Sequence, residues 1–174
     1  MKMIFRLGKE KDIEELISIY SKNKNELLKR NIFQWGNWNN GYPNEKFIKN
    51  SIDKEELFIL SFKNKIIGSV VLNQEQSIEW NEIMWSGENN NSLVIHAMVI
   101  DPFQQGNGFG AKLLENCENY AKNQGYKYIR LDSFSKNKIS NQLYITRNYN
   151  NLSFVTFDEK PKGNQKYYCY EKKL

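Results

Sequence analysis

Leu93-Val94-Ile95-His96-Ala97-Met98-Val99-Ile100 leads through Asp101-Pro102-Phe103-Gln104 into Gln105-Gly106-Asn107-Gly108-Phe109-Gly110-Ala111, and the fold is read from this stretch outward. Its first half is nearly all apolar, as expected for a central strand covered on both faces. After the glycine-rich turn, Leu113, Leu114, Cys117, Tyr120 and Ala121 fall on one face of a helix predicted over 108–123. Glycines at such a junction let the backbone approach a ligand closely, and the N–H groups at a helix start gather partial positive charge. That combination suits a phosphate group, although glycines serve a plain tight turn equally well.

On the N-terminal side, residues 4–6 form a short apolar start, and Ile13, Leu16, Ile17 and Tyr20 recur at helical spacing within 12–29. Residues 31–43 read as a polar loop rich in Trp, Gly and Asn, and a short helix is predicted from Asn44. Apolar runs at 56–63 and 66–72 flank Asn64-Lys65 as a hairpin, while 78–85 alternates less cleanly before a polar stretch at 86–92. On the C-terminal side a strand at 128–131, a helix at 138–147 and strands at 152–157 and 166–171 complete the order. Alternating strands and helices predict an α/β (α+β) fold with a mixed sheet. With 174 residues and 40% hydrophobic content, one domain spanning 1–174 is expected.

Charged residues make up 26% of the chain, and no window approaches the roughly 18 apolar residues of a membrane span. The N-terminus breaks into charge too early for a signal-peptide apolar region, so a soluble, cytoplasmic protein without a membrane partner is expected. Cys117 and Cys169 lack the spacing of a metal or redox pair and are read as buried free thiols; no metal is expected. The net charge of +5 suits an anionic ligand, but the lysines are scattered and no nucleic-acid module is recognisable.

Three phosphate-binding patterns compete for the glycine turn. An ATP-type loop fails because no Gly-Lys-Ser/Thr ending follows. A dinucleotide fingerprint, and with it an NAD-binding oxidoreductase, survives on the spacing of Gly106, Gly108 and Ala111 with Asp132 at the next strand end. Against it, residues 101–105 separate strand from first glycine where that motif wants an immediate turn. The third pattern is Gln-x-x-Gly-x-Gly/Ala-like and follows Ile100-Asp101-Pro102. Downstream come Asn137, Leu143-Tyr144 and Tyr149, with Asn148 where a glycine is usual. In these features the chain resembles the GNAT superfamily of N-acetyltransferases. Ile95-His96-Ala97-Met98-Val99-Ile100, Ile129-Arg130-Leu131-Asp132 and Tyr168-Cys169-Tyr170-Glu171-Lys172 resemble one bacterial branch of it, with weaker echoes at Phe33-Gln34-Trp35 and Tyr42-Pro43.

The resemblance implies a twisted, mostly antiparallel sheet of about seven strands flanked by helices, with acetyl-coenzyme A in a wedge where the strands at 93–100 and 128–131 splay apart. It implies that the pantetheine arm bonds to the backbone of Met98, Val99 and Ile100. The pyrophosphate would lie on the N–H groups of Gln105, Gly106, Asn107, Gly108, Phe109, Gly110 and Ala111. Asn137 would bond the pantetheine arm, or serve simply as a helix N-cap, and Lys112 would add charge or only solvation. Tyr144 is the implied general acid for the departing thiolate. Many members carry a glutamate where Val94 stands, so the base is sought elsewhere. His96, two residues on and on the same strand face, is the first candidate, with Asp132, Glu79 and Glu82 in reserve; a lone histidine in an apolar strand also reads as a core residue, and Asp132 as an organiser of the loop before Asn137 that accepts backbone hydrogen bonds. Aromatic residues Trp35, Trp38, Tyr42, Trp80 and Trp85, with Asp132, would line the site of the amine acceptor, or pack over the core. A non-catalytic acyl-coenzyme A binding module stays open beside the enzyme reading, and a homodimer is compatible with either.

Overall fold

The computed structural model describes residues 3–35 and 41–174. Seven strands form one mixed, open sheet in the order β1-β2-β3-β4-β5-β7-β6. The strands are β1 (Ile4–Leu7), β2 (Leu57–Phe62), β3 (Lys65–Asn73), β4 (Ser92–Ile100), β5 (Tyr128–Phe134), β6 (Asn150–Thr156) and β7 (Lys166–Lys173). The helices are α1 (Ile13–Lys29), α2 (Glu45–Asp53), α3 (Phe109–Asn123) and α4 (Lys138–Thr146). By its internal contacts the chain divides into two compact units, Met1–Leu72 with His96–Asn116 and Asn73–Ile95 with Cys117–Leu174.

In the first unit, α1 carries acidic Glu14 and Glu15 in its first turn and buries Leu16, Ile19, Tyr20 and Leu27. Those side chains join Trp35, Ile48, Leu57, Ile59, Ile66, Val71 and Val99 in one core. Asn44 caps α2 by accepting a 2.9 Å bond from the Phe47 amide. The β2–β3 hairpin turns at Lys63-Asn64, one residue earlier than the pair expected from sequence. Both residues are left-handed, at φ 51° and 61°, as a two-residue hairpin turn requires, and Lys65 already pairs with Phe62.

In the second unit, β5 and β7 pair antiparallel from Tyr128↔Lys173 to Phe134↔Tyr167, so both strands run two or more residues past their expected ends. Within 78–85, where alternation is poor, Ile78–Glu82 is a 3-10 helix. Its sequence hides a three-residue repeat, since Trp80 and Ile83 are buried while Ile78 and Met84 stand 78% and 91% exposed. Both cysteines are free and buried.

β4 crosses from one unit to the other. Its parallel ladder with β5 covers only Ser92↔Tyr128, Leu93↔Ile129 and Val94↔Arg130. Three residues later Ala97 takes a left-handed φ of 48°, which kinks the strand and re-aims the residues after it. The kinked carbonyl of Ala97 accepts a 2.6 Å bond from the Tyr20 hydroxyl of α1.

Candidate functional site

In the first unit, β4 delivers the chain into a short 3-10 turn, Pro102–Gln104, whose Asp101 cap accepts a 3.0 Å bond from the Phe103 amide. The Gln105 side-chain amide donates to the Ile100 carbonyl at 3.3 Å, tying the turn back to the strand end. Gly106 and Gly108 follow with φ of 82° and 76°, and a Cβ added at either would meet no protein atom within 4 Å. Backbone conformation, not crowding by neighbours, therefore demands glycine here. α3 starts at Phe109, so the turn and the helix start present consecutive backbone amides, and residues 105–108 are exposed. Lys112 is paired with Glu115 at 3.0 Å, which leaves most of the attraction for an anion to the backbone amides and the helix start. The residues present thus fit a pyrophosphate group.

The first unit also holds His96, half-buried on β4 just before the kink, with its Nε2 atom out of solvent. Trp35 is buried and meets Tyr20 edge-on at 5.7 Å. Tyr42 packs edge-on against Phe47 at 4.7 Å. Lys24 donates to the carbonyls of Gly41 and Pro43, beside a cavity of about 310 Å³ lined by Ile17, Tyr20, Leu28, Pro43 and Ile48. Burial lowers the Lys24 pKa below the ordinary lysine value. Trp38 lies outside the described residues.

In the second unit, Tyr144 on α4 is buried against Tyr170 and Tyr149, at 5.6 and 5.9 Å between ring centroids. Burial pushes its pKa well above the ordinary tyrosine value, and Cys117, Asp132 and Tyr170 push in the same direction, so the phenol keeps its proton across the neutral range. Asn137 is buried as the N-cap of α4 and accepts from the Ser140 amide at 3.2 Å. Asp132 on β5 accepts a 3.1 Å bond from the Trp80 indole N–H. Desolvation raises the Asp132 pKa to about 6, against the opposing pull of Lys160 and the Trp80 bond and with a further push from Glu79. Glu82 is exposed on the same 3-10 helix that carries Trp80. Trp85 packs on Trp80 at 4.8 Å.

This order of elements, a kinked central strand running into a left-handed glycine turn at a helix start, meets its counterpart in the comparison of sequences. The sequence profile of the acetyltransferase (GNAT) family matches residues 14–149. The chain belongs to the GNAT acetyltransferase family. Solved GNAT structures share its fold over nearly the whole length. One from Streptococcus agalactiae superposes with a TM-score of 0.85 at 18% identity, covering 99% of this chain and 95% of that one. The PaiA N-acetyltransferase of Thermoplasma acidophilum, solved in complex with coenzyme A, gives 0.69 at 17% identity with 100% of both chains covered. The ribosomal-protein-S18-alanine N-acetyltransferase of Escherichia coli gives 0.71 at 13% identity, covering 99% and 94%. No curated protein sequence matches the chain.

Sequence reasoning passed over one constellation in this GNAT chain. Arg130 is fully buried, donates to Glu171 at 2.9 Å, and sits directly across the β5–β7 ladder from it. The available signal was slight, a charged residue beside apolar neighbours at Ile129-Arg130-Leu131. Among the described residues no group of three or more His, Cys, Asp or Glu is placed to hold a metal, and no helix is long and apolar enough to cross a membrane.

Proposed function

We propose that this chain is an acetyl-coenzyme A dependent N-acetyltransferase that acetylates a primary amine of a small molecule or peptide by direct attack on the thioester. The observation that carries the reading is the turn at 105–108, where two left-handed glycines open onto the start of α3, one short 3-10 turn after the kinked strand β4. The coenzyme A seen in the Thermoplasma neighbour and the alanine N-acetyltransferase activity named for the Escherichia coli one agree with it.

Bound acetyl-coenzyme A supplies an activated acetyl group as a thioester. The amides of Gln105 to Ala111 hold the pyrophosphate, and the backbone of Met98, Val99 and Ile100 holds the pantetheine arm, with Asn137 in support. Tyr144 is the general acid, its Oη proton passing to the departing thiolate. An acid for this role must still hold its proton at neutral pH, as a phenol does with or without the upward shift of Tyr144.

The base must do the reverse. Although sequence reasoning put His96 first, we infer that Asp132 accepts the amine's proton, directly or through water. A carboxylate raised to about 6 is mostly ionised at pH 7 yet basic enough to take a proton in the transition state. Asp132 and Tyr144 lie in one unit, and the Asp132 charge is among the causes that raise Tyr144. Trp80, Trp85, Trp35 and Tyr42 remain as acceptor-side aromatics.

The test is acetyl-coenzyme A turnover against a panel of amines, read by release of free thiol, with Tyr144→Phe alongside. The substitution removes only a hydroxyl, so kcat should fall roughly 10- to 1000-fold with coenzyme A affinity retained. Coenzyme A binding without turnover of any amine would instead identify a non-catalytic acyl-coenzyme A binding module.

A further inference from the structure

Arg130 is the largest fully buried side chain of the described residues, and apart from Glu171 on β7 its hydrogen-bond partners come from one segment. It donates to Gln76 Oε1 at 3.0 Å, to Asn89 Oδ1 at 2.7 Å and to the Gly87 carbonyl, and its guanidinium lies 4.4 Å over the Trp85 ring. Glu171, its ion-pair partner, accepts from the Ser86 amide at 2.8 Å and from the Gly87 amide at 3.3 Å. Every one of these contacts falls on residues 76–89, which lack a strand partner of their own. Trp80 sits inside that segment, held by Trp85 through the ring contact and through the Trp85 indole N–H, which donates to the Trp80 carbonyl at 3.1 Å. Two positions along β5 from Arg130, and so on the same strand face, Asp132 receives the Trp80 indole N–H.

A buried network held by several hydrogen bonds fixes geometry more than it adds stability. We propose that Trp80 is a positioning residue for proton transfer. Its indole N–H holds the Asp132 carboxylate in place and favours the ionised form, and the buried Arg130–Glu171 pair locks the 76–89 segment that carries it. The inference rests on the acetyltransferase reading, in which Asp132 takes the proton. Around Asp132 the other charged or titratable groups are Glu79 beside Trp80, Lys160, Tyr144 on α4 and Cys169 opposite on β7. Trp80 is itself neutral, so its removal changes no charge in the cluster.

The experiment follows the carbon-13 resonance of the Asp132 carboxyl and the nitrogen-15 resonance of the Trp80 indole through a pH titration, together with the pH profile of kcat/KM. In the unmodified protein the indole signal should shift with the same midpoint as the carboxyl. An indole signal that stays still while Asp132 titrates overturns the proposal without any substitution. In Trp80→Phe, loss of a bond to the charged form should raise the Asp132 midpoint by about one pH unit. The low-pH limb of kcat/KM should move with it, while coenzyme A affinity stays within about twofold. A limb abolished by Asp132→Asn yet unmoved by Trp80→Phe overturns the role of Trp80 alone. A limb that survives Asp132→Asn overturns the assignment of the base on which the proposal stands. For the lock, Asn89→Ala removes one exposed acceptor of Arg130 and leaves the buried pair intact. It should speed hydrogen exchange at the Ser86 and Gly87 amides and move the Asp132 midpoint upward by a smaller amount; unchanged exchange and midpoint would separate Arg130 from Trp80.

Discussion

Tyr149 and Tyr144 are joined twice, by a 3.0 Å bond from the Tyr149 amide to the Tyr144 carbonyl and by edge-on ring contact at 5.9 Å. Between them Asn148 is left-handed at φ 65° and its amide bonds to the Ile145 carbonyl at 3.1 Å. Together these make a Schellman stop for α4, complete with its apolar contact. The proposed acid is therefore seated by the way its helix ends. Asn148→Gly should keep this geometry and stabilise the protein by up to about 1 kcal/mol, since glycine is the less strained left-handed residue. Asn148→Val should destabilise by roughly 1–2 kcal/mol and lower kcat as Tyr144 shifts. Urea melts and steady-state rates check both; a Val variant with unchanged kcat would detach the helix stop from catalysis.

The Ala97 kink and its Tyr20 bond set a second expectation. Ala97→Gly should hold or gain stability, because alanine bears the left-handed strain, while Tyr20→Phe leaves the carbonyl without its donor and should cost about 1–3 kcal/mol. If the kink serves the pantetheine arm, Tyr20→Phe also weakens coenzyme A binding, measured by calorimetry. Equal affinity in the two proteins would mean that the kink stands without Tyr20.

Coenzyme A should raise the melting temperature and NAD should not, since only a ligand that prefers the native state stabilises it. Gly108→Val places a branched side chain where φ is 76°, so it should abolish the coenzyme A shift at a cost in stability of roughly 1–2 kcal/mol. A retained shift would remove this turn from the binding site.

Much of this was legible in the sequence where local chemistry alone decides structure. The glycine turn, the amphipathic face of α3 and the asparagine at the end of α4 each carry a residue type suited to one backbone state. What stayed hidden depends on distant partners. Residues 78–85 follow neither strand nor α-helix periodicity, because Trp80 answers to Asp132 and Trp85 to Arg130. The kink at Ala97 gives no signal, since nothing in an alanine announces a left-handed bend. The same limit bears on the proposed base: His96 stands out by its residue type, whereas the raised pKa of Asp132 comes from burial.

That raised pKa makes Asp132 costly to the fold, and the sign of the cost can be tested. A free aspartate titrates near 3.9, and the folded protein moves this one to about 6. Between those values the native state binds the proton more tightly than the unfolded chain, so stability falls as pH rises through the interval. The loss is complete above the folded value and absent below the unfolded one. Asp132→Asn removes the ionisation while keeping an oxygen to accept from Trp80. It should stabilise the protein by roughly 1–2 kcal/mol at pH 8, a figure discounted because the residue is partly exposed, and by nothing at pH 4. Urea melts at the two pH values decide the matter. An equal effect at both would show that the Asp132 carboxylate ionises without penalty, and the group would then lack the basicity that amine deprotonation requires.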